Sequence, residues 1–148
     1  MNIRARLELI ADFLAWVSYV LAFFPAVYGV VLLVVGEEGW GVSKASGRVS
    51  DVYETALQFP GAPESWAIVA VVIAVGITIG QWRGDRRVLS VSCAFLSLWF
   101  FFFAIAFVTS WIENDWYAPS LLPSVAYTTL GLIAIGRARM AWAWRNLT

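Results

Sequence analysis

VLSVSCAFLSLWFFFFAIAFVTSWI, residues Val88–Ile112, runs without a single Asp, Glu, Lys or Arg. A helix rises about 1.5 Å per residue and the hydrocarbon core of a bilayer is about 30 Å thick, so about 20 such residues cross it. Working outward, three more charge-free stretches appear: Ser65–Trp82 before it, Trp116–Gly136 after it and Phe13–Gly36 near the start. The spans expected from them are approximately 13–36, 65–82, 88–112 and 120–136. The expected fold is therefore all-α, a four-transmembrane-helix bundle forming one integral membrane domain over 1–148.

Composition agrees. The 148 residues are 61% hydrophobic and 14% charged, against about 45–50% and 25% in soluble domains. Mean hydropathy is +0.75. Arg4 and Arg6 precede the first stretch as they would in a signal peptide. Its apolar run is too long for that, however, and no small-residue cleavage pattern follows before Glu37. It reads as a retained helix.

Orientation follows from the basic residues, which favour the cytoplasmic flank. Arg4 and Arg6, then Arg83, Arg86 and Arg87, then Arg137, Arg139 and Arg145 all fall on one side; only Lys44 and Arg48 fall on the other. Both termini are expected on the cytoplasmic side of a bacterial inner membrane. Trp66, Trp111 and Trp116 then lie at the outer interface and Trp82, Trp142 and Trp144 at the inner one, where an indole satisfies both its apolar body and its N–H. The C-terminal Arg137, Arg139, Trp142, Trp144 and Arg145 read as a tail suited to anionic lipid heads.

The connections differ. Arg83-Gly84-Asp85-Arg86-Arg87 is a tight turn that makes helices two and three a hairpin. The loop from Gly36 to Glu64 carries Val49, Val52, Tyr53, Ala56 and Leu57 at helical spacing, which predicts a short amphipathic helix in the first outer loop.

Chemistry is sparse. Histidine is absent and Cys93 is the one cysteine, so haem, zinc and copper sites lack their usual ligands. Glu113-Asn114-Asp115 lacks calcium-loop spacing. No Asp, Glu, Lys, Arg or His falls inside the charge-free stretches, and no histidine base accompanies the hydroxyls, which weighs against the usual relays and nucleophile pairs. Neither catalytic residues, nor a cofactor, nor a metal is expected, and zero net charge implies no nucleic-acid partner.

Packing features are more evident. Gly76-x-x-x-Gly80 is a small-xxx-small pair that lets two helices approach closely. Ser90, Cys93, Ala94, Ser97 and Ala104 form a small-residue stripe on helix three, and Phe95, Trp99, Phe102 and Phe103 crowd the rest. The small side is expected to pack and the aromatic side to face lipid or a partner. Pro25 removes a backbone bond within helix one and is expected to kink it.

This layout, with a long first outer loop, a basic hairpin turn and both ends inside, resembles small four-helix bacterial or phage inner-membrane proteins. Holin-like and DoxX-like proteins are the two groups it is similar to. The resemblance covers the whole chain in hydropathy and carries no functional residue across. The function expected is that of a non-catalytic membrane subunit whose partners are the bilayer and other membrane-protein subunits or itself. A holin-like pore former and a small transporter or DoxX-like protein are the alternatives.

Overall fold

A computed structural model describes residues 3–36, 60–113 and 121–145. The expected amphipathic helix at 49–57, the acidic loop at 114–115 and Trp116 lie outside those residues. Four helices make up the described chain: α1 (Ile3–Val35), α2 (Glu64–Trp82), α3 (Arg86–Glu113) and α4 (Leu121–Arg145). Three of them, over Ala5–Val35, Glu64–Trp82 and Arg86–Thr109, are long and apolar enough to cross a membrane. The α4 helix is not among these; Ser124, Thr128, Thr129, Arg137 and Arg139 make it more polar.

The helices pack in chain order, α1 on α2, α2 on α3 and α3 on α4, while α1 and α4 barely approach each other. Gly84 adopts φ +69° in the turn between α2 and α3, a backbone state that suits glycine. Asp85 then caps α3: its Oδ1 accepts from the Arg87 and Val88 amides at 2.9 and 3.1 Å. This turn end of the bundle also holds the start of α1 and the end of α4.

Small residues set each helix contact. A Cβ added to Gly29 would lie 2.7 Å from Val71 Cγ2 and 2.8 Å from the Ala67 oxygen, so α1 approaches α2 closely there. A Cβ on Gly80 would lie 2.6 Å from the Leu89 nitrogen, and one on Gly76 would strike Ser92. Between α3 and α4, Ser90 Oγ donates to the Ala138 carbonyl at 2.9 Å and Ser97 Oγ to the Gly131 carbonyl at 3.0 Å. Seven residues separate the two members of this pair on both helices, two turns of antiparallel contact. Buried Gly131, Ala134, Ala138 and Ala141 are the α4 side of that seam.

Aromatic rings from all four helices fill the end of the interior remote from the turn. Trp99 meets Tyr28 and Phe103, each at 4.9 Å between centroids, and Trp66 stacks on Phe102 at 4.9 Å. Phe24 meets Phe100 at 5.5 Å, and Phe107 stacks on Tyr127 at 5.5 Å. Such pairs contribute about 0.5–1.5 kcal/mol each beyond area burial. The sequence reading sent the aromatic side of α3 to lipid or a partner, and the structure corrects this. Of the four residues that define that side, Trp99 and Phe103 are buried, Phe102 is half-buried and Phe95 is exposed; Phe100 beside them is buried as well. The bundle leaves α1 and α4 too far apart for small side chains to meet, and large rings bridge the gap.

Candidate functional site

Arg137 lies in the bundle and not in a tail beyond it. The α4 helix continues through it to Arg145, and only 3% of its surface is exposed. A cation near the end of an apolar helix ordinarily turns its long side chain toward water. Here neutral acceptors draw it inward. Arg137 Nε donates to Ser18 Oγ at 2.8 Å and, at a longer 3.3 Å, to the Leu14 carbonyl. Its Nη2 donates to Gln81 Oε1 at 3.0 Å. Ser18 in turn donates to the Leu14 carbonyl at 2.9 Å. One guanidinium thus joins α4 to both α1 and α2.

No carboxylate among the described residues accompanies it. A guanidinium has five N–H donors, and Nη1 is buried without a hydrogen-bond partner. Taking such a charge out of water costs several kcal/mol, and neutral acceptors recover only part of this. Trp99 Nε1, farther into the bundle, is a second buried donor with no partner. Both orphan atoms among the described residues are donors.

Position matters as much as chemistry. Ala138 faces Ser90, which lies four residues into α3, so Arg137 sits about 6 Å inside the turn end. Tyr127, in the aromatic layer, is ten residues back along α4, or about 15 Å away. The bundle interior is consequently polar and cationic near the turn and aromatic beyond it. Comparison with family models, curated proteins and solved structures finds no match. Function must be argued from these two layers and from the surface.

The residues singled out from sequence are dispersed. Gly76 and Gly80 face Ser92 and Leu89, Ser90 and Ser97 bond α4, and all four act within the chain. Ala104 is buried beside a furrow shared with Phe101 and Thr128, and Ala94 lines another furrow nearer the turn. Among the expected interface anchors, Trp82 and Trp142 are exposed, Trp111 is half-buried, and Trp66 is packed into the aromatic core. Trp144 lies under the Arg86 guanidinium, 5.5 Å from ring to cation. Cys93 is buried and unpaired.

Arg137 and its partners were missed. Two signals could have found them: Gln81 is the one amide in the charge-free stretches, and Arg137 continues the buried Ala134–Ala141 face of α4 at helical spacing. Neither identifies the contact without the helix pairing.

Proposed function

We propose that this chain is a bacterial inner-membrane protein of four spanning helices with both ends cytoplasmic. It catalyses no reaction, needs no cofactor and acts by associating with other membrane proteins or with itself. The observation that carries the reading is the filled interior. Rings from α1, α2, α3 and α4 occupy it beyond Arg137, and the hydroxyls of Ser18, Thr78, Ser90, Ser97, Thr128 and Thr129 all donate to backbone carbonyls. A route for ions needs polar groups along its length, and a nucleophile needs a neighbouring base.

The fourth span is supported by register. Side by side with α3 through the Ser90–Ala138 and Ser97–Gly131 bonds, α4 covers the same thickness of membrane. Its length of 25 residues is about 37 Å, and its charges gather at one end. Because the small-residue faces are occupied within the chain, association falls to the outer faces. That of α1 presents exposed Phe13, Trp16, Val20, Phe23, Val27 and Val30.

Pure protein in liposomes at moderate protein-to-lipid ratio should pass neither protons nor ions. Graded, selective flux would defeat the proposal in favour of a transporter, and abrupt leakage of large dyes would replace it with a holin-like function.

A further inference from the structure

A furrow of about 390 Å³ runs between α3 and α4 on their outer side at the turn end. Its size falls in the range of pockets that hold small ligands. It exists because the Ser90–Ala138 contact brings the two backbones together while Ala94 and Ala143 supply no bulk to fill the space beside it. Its deeper part is walled by Ala94 and Ile135. Nearer the end of α4 it is walled by exposed Arg139 and by Trp142, which is 47% exposed.

We propose that this furrow binds one anionic glycerophospholipid, with an acyl chain along Ala94 and Ile135 and the phosphate at Arg139. Charge complementarity selects this occupant. Arg139 is a fixed cation at the mouth of an otherwise apolar trough. Asp85, the acid that caps α3, has one oxygen engaged by the α3 amides, and Glu8 and Asp12 are on α1, which packs on α2. The trough is also graded in the direction a lipid requires, apolar toward the middle of the helices and cationic with an indole toward their ends.

The site rests on α4 being embedded in the membrane, and the test separates the two. Protein is reconstituted in nanodiscs of equal phosphatidylglycerol and phosphatidylcholine, and the lipids retained on release are counted by native mass spectrometry. The expected result is about fivefold enrichment of phosphatidylglycerol, the effect of one basic residue near a lipid surface. Arg139→Gln should bring the ratio to parity, Arg139→Lys should keep it, and Ala143→Trp should displace the retained lipid. Equal retention of both lipids by the native chain, or a preference unchanged by Arg139→Gln or lost equally in Arg139→Lys, overturns the site alone. A dimer that Ala143→Trp converts to monomer, with no change in lipid, gives the furrow to a second copy and also overturns it. Failure of the chain to co-elute with the discs overturns the membrane reading and the site together.

Discussion

Arg137 is held by neutral acceptors alone, and this makes its energetics testable. A buried cation without an anion is a poor source of stability, and replacing it with an apolar side chain of similar volume is often neutral or stabilising. Removing an acceptor is different, because it leaves a desolvated N–H with nothing to meet it, at a cost of about 1–3 kcal/mol. Gln81→Leu should therefore lower the unfolding temperature in mild detergent, while Arg137→Met should leave it unchanged or raise it. In the Arg137→Met background, Gln81→Leu should cost little, giving a coupling of about 0.5–3 kcal/mol. Equal costs in the two backgrounds would mean that the 3.0 Å contact carries no energy. Cys93, by contrast, belongs to the small-residue side of α3 that the sequence sends into a helix contact, and it is buried. The difference is physical. A small residue in a stripe of small residues marks a face where helices can approach, whereas an arginine at the edge of an apolar run has two places, water or the bundle, and the acceptors on α1 and α2 decide.

Elements were legible where local chemistry fixes them. Gly84 and Asp85 specify the turn and the cap without help from the rest of the chain. Small residues on α2 and α3 also marked contact faces, since a bulky side chain there would hold backbones apart. Gly29 went unread because a helix that is apolar all round gives its period no polar face to be measured against, and the Gly131–Ala141 seam went unread because the buried Arg137 interrupts it with a residue that ordinarily marks an outer face. The lack of a polar face also hid which rings of α3 point inward. Gly80→Leu tests the α2–α3 contact. A Cβ there would lie 2.6 Å from the Leu89 nitrogen and 2.9 Å from its Cα, so backbone must move. Overpacking of this kind costs about 1–3 kcal/mol, visible as a lower melting temperature of the monomer. Gly136 is the internal control, with nothing within 4 Å of its added Cβ. If Gly80→Leu melts no lower than Gly136→Ala, the hairpin is not packed as described.

At the scale of the whole molecule, the distribution of charge and the packing of α4 make one joint demand. Eight of the ten basic residues lie at the ends or at the turn, and all of those positions share one face of the membrane only if the chain crosses four times. The α4 helix is the weak link, since it is more polar than the others and bears Arg137. Burial relieves that weakness: the guanidinium meets Ser18 and Gln81 inside the bundle and only 3% of the residue is exposed. With Cys93 replaced by alanine, single cysteines at Ser46, Gly84 and Thr148 resolve the arrangement in whole cells. An impermeant thiol reagent should label the Ser46 position and leave the other two untouched until the membrane is opened. Labelling at Gly84 from outside would reverse the orientation that the basic residues imply. Labelling at Thr148 with Gly84 protected would mean that α4 does not cross, and would overturn the four-span reading together with the Arg137 contacts to Leu14, Ser18 and Gln81.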